Sequence, residues 1–303
     1  MRQVRLRALA CLPALLVAGG AAGVVAAAGT GAGSPPAERL DAEARGAAEA
    51  QAAALAPQIE LPPGAAQTPS EPAEAAGALA RSPVSQFAES YAVDDSGWAA
   101  VPEPQTQVMA YVREHLPAGV SYSYEYQPGP GLTGLTIAFA PQRSGPVSEK
   151  WGYVTLLSLP GARTDVRTDA VALWVPAPRP IPAGSRLLTV SARVVGPRSP
   201  YNQRRVITSG ARIEAVRRLI DVLPVSRPSL RAASCPAQFG AVTLSFYFER
   251  RAPQTPSAIV RAPIGGCGGW ALTVAGTTAQ EREEGGGALR GVAKLTRLRL
   301  PHA

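Results

Sequence analysis

The sequence predicts an α+β fold in which short amphipathic helices alternate with mostly antiparallel strands, in two similar subdomains behind a disordered N-terminal tether. Three observations lead there. The 17 aromatic residues begin only at Phe87, so core formation is expected from about residue 85 onward. Beyond that point two runs of helical spacing end in Leu-Pro, at Leu116-Pro117 and Leu223-Pro224, and each leads into apolar strand-like runs. Before it the chain is rich in Ala, Gly, Pro, Gln and Glu, which bury too little apolar surface to offset the entropy of ordering.

At the N-terminus, Arg2, Arg5 and Arg7 precede a charge-free stretch from Ala8 to Ala28. A basic region followed by an apolar one is the order of an export signal, and Ala26-Ala27-Ala28 is the small-residue pattern of a cleavage site. The same stretch is long enough to span a bilayer as a helix, so residues 1–28 read as a signal peptide or a membrane anchor. Residues 29–84 read as a linker: a transient helix at Glu38–Leu55, then an extended Pro-rich part from Pro62 to Pro83. The first α+β unit is expected over residues 85–196. Val108, Tyr111, Val112 and His115/Leu116 mark a helix from Thr106 to Leu116. Strands follow around Leu135–Phe139, Trp151–Leu159, Val171–Val175 and Leu187–Val195, with Pro176–Pro182 as a turn or edge connection. The second unit is expected over 197–303. Ser209 caps a helix with apolar face Ile213, Val216, Leu219/Ile220 and Leu223, followed by strands at Val242–Phe248, Ala258–Val260 and Trp270–Val274. The run from Leu289 to Leu300 fits helix and strand equally.

Of three cysteines, Cys11 lies in the export segment and reads as a small apolar residue. Cys235 and Cys267 remain, and two thiols in an exported protein usually pair. Their bridge would close a 33-residue loop and contribute roughly 3 to 4 kcal/mol. Two cysteines without a nearby histidine fit a metal or a nucleophilic role poorly. The segment from Ile207 to Val274 resembles a module of uncharacterised exported or membrane-anchored actinobacterial proteins. That pattern is a helix ending in Leu-Pro, then Cys-Pro-x-x-x-Gly, a strand, and a Gly-Cys, carried here by Cys235, Pro236, Gly240, Gly266 and Cys267. The resemblance implies export and the disulfide, and it implies no activity.

The net charge of +8 hides an asymmetry: residues 8–104 carry −8 and residues 196–303 carry +10. Outside the cell such a basic unit is drawn to an anionic wall polymer or lipid surface, or to an envelope protein, with Arg204-Arg205, Arg217-Arg218 and Arg250-Arg251 as the densest candidate sites. Export removes nucleic acid as a partner. Neither a cofactor nor a catalytic motif is expected: there are two histidines, of which His115 reads as a core-edge side chain and His302 is next to last. Glu114 with Glu125, or Asp94 with Asp95, could form a glycosidase-like pair, whereas Glu281, Glu283 and Glu284 read as a solvated loop. Tyr122, Tyr124 and Tyr126 share one face of a strand and read as either core or a stacking platform for sugar rings. The expectation is therefore a non-catalytic binding module of the cell envelope. Two other readings are a carboxylate-dependent envelope hydrolase and an extracytoplasmic partner of a transmembrane regulator.

Overall fold

The computed structural model describes residues 36–80, 82, 91–194, 201–230, 239–250, 255–265, 269–275, 277, 279–283 and 287–300. The expected export segment, Cys11, Cys235, Cys267, Pro236, Gly266, Arg251, Glu284 and His302 lie outside the described residues. In chain order the elements are α1 (Pro36–Leu55), β1 (Ala66–Thr68), β2 (Ala92–Val101), α2 (Gln105–Glu114), β3 (Val120–Tyr126), β4 (Leu132–Phe139), β5 (Val147–Leu159), β6 (Arg163–Trp174), β7 (Leu187–Val194), β8 (Tyr201–Ile207), α3 (Gly210–Asp221), β9 (Gly240–Tyr247), β10 (Ala258–Ile264), β11 (Trp270–Val274), β12 (Gln280–Arg282) and α4 (Ala288–Thr296).

The fold is α+β, as the periodicities predict. Its two six-stranded sheets run in the orders β1-β2-β6-β5-β4-β3 and β12-β11-β10-β9-β7-β8, with every pairing antiparallel. Each sheet is built from two strands, a helix and four strands, but the closures differ. In the first sheet the pre-helix strand β2 pairs with the last strand, β6, whereas in the second β7 pairs with the first post-helix strand, β9.

The linker expectation needs correction over residues 36–80. α1 is a packed helix whose Ala44, Ala48 and Ala52, one turn apart, are buried against Ala172, Val147 and Trp174. Leu55 and Ile59 continue into the core that α2 forms on the same sheet face, with Val108, Val112, Ile137 and Leu156. Alanine-rich composition conceals this because a methyl stripe lets the helix backbone approach closely, and most of the apolar area it buries belongs to the partner sheet. The boundary between the units also moves. β7 belongs to the second sheet, so the division falls in the Pro176–Pro182 connection rather than after residue 196.

Among the described residues that connection joins no ladder, and side chains from distant elements bond to its backbone. Asp41 of α1 accepts from Ala177 N–H at 2.6 Å and from the Arg179 guanidinium at 2.6 Å. Gln280 accepts from Arg179 N–H and donates to the Ala177 carbonyl. Asp221 accepts from Ile181 N–H at 2.9 Å. Arg282, almost fully buried, donates to the carbonyls of Leu223 and Arg179 at 2.8 and 2.7 Å.

In the second sheet the inward residues Val190, Val242, Leu244, Phe246 and Val260 form a core with Ile213, Val216 and Ile220 of α3 and Val292 of α4. The ambiguous C-terminal run is thus a helix; Gly291 lets it close onto Leu219 of α3, where a Cβ would stand 2.9 Å from the leucine side chain.

Candidate functional site

Register places the tyrosine triplet on the face of the first sheet opposite α1 and α2. Tyr122 lies across from Ala138 and Trp151, Tyr124 from Thr136 and Tyr153, and Tyr126 from Gly134 and Thr155. β3 is the edge of the sheet among the described residues, where the triplet has a neighbouring strand on one side only. Tyr122 and Tyr124 are 38% and 50% exposed, while Tyr126 is half-buried. Tyr126 lies over Gly134, where an added Cβ would stand 2.3 Å from its ring. Its hydroxyl is 3.4 Å from Thr155 Oγ1, and burial holds its ionisation above the usual phenol range.

The rings form a continuous line. Tyr122 and Tyr124 stack with centroids 6.2 Å apart and planes 14° from parallel. Tyr122 meets Trp151 edge-on at 6.0 Å, and Trp151 stacks on Tyr153 at 6.3 Å. Trp151 is pinned from below: its Nε1 donates to Glu149 at 2.9 Å, and Glu149 also accepts from Ser229 Oγ and Leu230 N–H. The exposed Tyr122 and Tyr124 therefore continue a line of two buried rings, of which Trp151 is held by its hydrogen bond to Glu149, and together they make an aromatic ledge at the sheet edge.

The ledge runs into a buried polar cluster. Asp169, across from Tyr153, is fully buried, and Arg167 donates Nε and Nη2 to its Oδ1 at 2.8 and 2.6 Å. Arg167 also donates Nη1 to the Leu79 and Ala80 carbonyls and lies over the Trp98 ring. Asp169 Oδ2 accepts no hydrogen bond among the described residues. Burial foremost, and the neighbouring Asp94 carboxylate, raise its ionisation to about 7 against the pull of Arg167. A proton on Oδ2 resolves both facts, because it can be donated to Asp94, whose Oδ2 already accepts from Ser82 Oγ at 2.6 Å. Thr136 Oγ1, also fully buried in the row between Tyr124 and Tyr153, makes no hydrogen bond among the described residues.

The other sequence candidates disperse. Glu125 pairs with Arg113, and Glu114 is exposed on α2. Asp94 and Asp95, adjacent on a strand, face opposite sides of the sheet; Asp95 lines a groove of about 500 Å³ with Glu60 and Thr168. His115 is an exposed residue at the end of α2, stacked on Tyr111 at 3.9 Å, rather than a core-edge side chain. Glu281 and Glu283 are exposed, as expected of a solvated stretch, although Glu281 belongs to β12.

The arginine pairs also separate. Arg217 bonds Glu214 at 2.7 Å and Asp221 at 2.6 Å, and Arg218 bonds Glu214 at 2.8 Å. These two guanidiniums hold the Glu214 carboxyl down to about 2, so the helix is largely self-neutralised. Arg204 and Arg205 are consecutive in β8 and project from opposite sheet faces, which prevents them from acting as one site. Arg250 is exposed just beyond β9.

Residue spacing found the tyrosines but not their supports. Trp151, Tyr153 and Thr155 alternate in the same way as Tyr122, Tyr124 and Tyr126, yet only the β3-β4-β5 register joins the two sets. Asp169 and Arg167, two residues apart on β6, carried a similar unread signal. Among the described residues no group of His, Cys, Asp or Glu is placed to hold a metal ion, and no helix is long and apolar enough to cross a membrane. Comparison of the chain with protein-family models, curated proteins and solved structures yields no match.

Proposed function

We propose that the chain is a non-catalytic binding module of the cell envelope that holds a glycan on the Tyr122–Tyr124 ledge. The observation that carries this reading is the exposed, stacked tyrosine pair braced by Trp151 and Tyr153. Stacked rings half open to solvent offer flat apolar faces with hydroxyls at their tips, a match for the C–H faces and rim hydroxyls of sugar rings. The extracytoplasmic setting comes from the basic-then-apolar N-terminus. The hydrolase alternative draws little support from this face: its coupled carboxylates, Asp94 and Asp169, include one that is fully buried and committed to Arg167.

Retention on purified, insoluble cell-wall glycan tests the reading. The unmodified protein should be retained even at high salt, because stacking is not screened. Tyr124→Ala and Tyr122→Ala should each weaken retention about ten-fold while the fold persists. Unchanged retention of the double variant would refute the ledge as the binding surface.

A further inference from the structure

The second sheet has a face that no part of the ledge reaches. Its inward residues carry the core with α3 and α4, whereas its outward positions on β7 to β10, apart from Leu187, are exposed or half-exposed. On those outward positions, register sets Arg204, Ser191, Thr243 and Arg261 side by side across β8, β7, β9 and β10. Arg193 stands two residues along β7 from Ser191. Ser191, Arg193, Thr243 and Arg261 line one open groove of about 450 Å³ with Phe239. Two hydroxyls thus lie between guanidiniums, the donor set that phosphate oxygens take up.

Three features make this face unlike an ordinary solvated one. None of Arg193, Arg204 and Arg261 pairs with a carboxylate among the described residues, in contrast to Arg217 and Arg218. The outward positions of β7 to β10 include no Asp or Glu. Beside the arginines, Val206, Phe239 and Ile259 are 60%, 51% and 37% exposed on the same side. A soluble polyanion would need the charge alone. Guanidiniums interleaved with an exposed phenyl ring and two branched aliphatic side chains instead match an interface that is anionic outside and apolar just beneath.

We propose that this face of the second sheet docks on an anionic phospholipid surface. Arg193, Arg204 and Arg261 engage the phosphates, Ser191 and Thr243 donate between them, and Phe239 enters the headgroup layer. The flat sheet would lie along the bilayer, with α3 and α4 on the side away from it.

Cosedimentation of the full chain with vesicles tests the proposal. Phosphatidylcholine alone is compared with phosphatidylcholine mixed with phosphatidylglycerol. The readout is the ratio between the two for the parent set against the same ratio for each variant, so that the contribution of the N-terminal segment, with Arg2, Arg5 and Arg7, is common to both. The mixed vesicles should be preferred, and the preference should fall with added salt. Each Arg→Gln change should reduce it about five-fold, and the triple variant R193Q/R204Q/R261Q roughly 100-fold. Phe239→Ser should weaken binding at unchanged charge, and Tyr124→Ala should leave it intact, which separates this face from the tyrosine ledge. Equal binding to both vesicle types would overturn the proposal, as would undiminished preference in the triple variant. Capture by soluble polyphosphate without capture by vesicles would overturn the lipid assignment. The substituted side chains are exposed, and an unchanged melting temperature confirms that the variants are folded.

Discussion

Replacing Asp169 with asparagine isolates the balance inside the buried polar cluster. Asp169 titrates at about 7 in the fold against an ordinary value of 3.8. A raised folded value means that folding favours the protonated form. Below about pH 4 both states hold the proton and its stabilising effect is complete. Between 4 and 7 the unfolded chain loses the proton while the fold retains it, so stability falls as pH rises; above 7 it levels off. A rise of about three pH units at 1.36 kcal/mol each gives a total on the order of 4 kcal/mol. The amide introduced by Asp169→Asn would keep an oxygen for Arg167 and present an N–H toward Asp94, mimicking the protonated acid. D169N should therefore match the parent near pH 4 and exceed it by up to about 4 kcal/mol near pH 8, measured by urea denaturation across that range. The opposite expectation is a tight ion pair between Arg167 and an ionised Asp169, for which the neutral substitution would remove about 3–5 kcal/mol at pH 8. A variant less stable than the parent at pH 8, with the parent's pH slope intact, would refute the shared-proton reasoning.

Ala48→Leu inserts three carbons where α1 lies on the first sheet and should lower stability by about 1–3 kcal/mol in the same assay; no effect would mean that α1 does not pack. Gly240→Ala places a Cβ 2.0 Å from the Arg193 carbonyl oxygen, so the β7-β9 pairing must shift and the melting temperature should drop. Gly210→Ala, which meets nothing within 4 Å at the start of α3, should be neutral or stabilising by up to about 1 kcal/mol. Arg282→Met removes both donors from the Leu223 and Arg179 carbonyls and should cost about 2–5 kcal/mol by denaturant titration; a smaller loss would show that water replaces the guanidinium.

The periodic elements were legible. Helical spacing located α2 and α3, and apolar runs located β4, β5, β7, β9 and β11, because each buries its own side chains in a regular pattern. β8 escaped notice since Tyr-Asn-Gln-Arg-Arg-Val-Ile is the polar edge of a sheet, and β2 since two aspartates and a glycine interrupt it. α1 is legible as a helix at Glu38–Leu55 but not as a packed one: its methyl stripe contributes little apolar area of its own, and a composition reading counts only what a segment carries. At the candidate site, alternation alone aligned the three tyrosines on one face, but their exposure depends on β3 lying at the sheet edge. The pairing of Asp94 with Asp169 is unreadable before the strand register is known, because the two are 75 positions apart.

The side chains that satisfy the Pro176–Pro182 connection bear on the order of assembly. Asp41 stands 136 positions before its Ala177 partner, and Gln280 follows Arg179 by 101. As synthesis proceeds from the N-terminus, one half of this latch waits while the 101 positions from Arg179 to Gln280 are still to be made. Fastening late favours slow maturation, since distant pieces must meet before either gains from the encounter. A protease present during refolding should therefore cut between residues 176 and 182 long after the first sheet resists it, and shortening the chain before Gln280 should leave that cut permanently open.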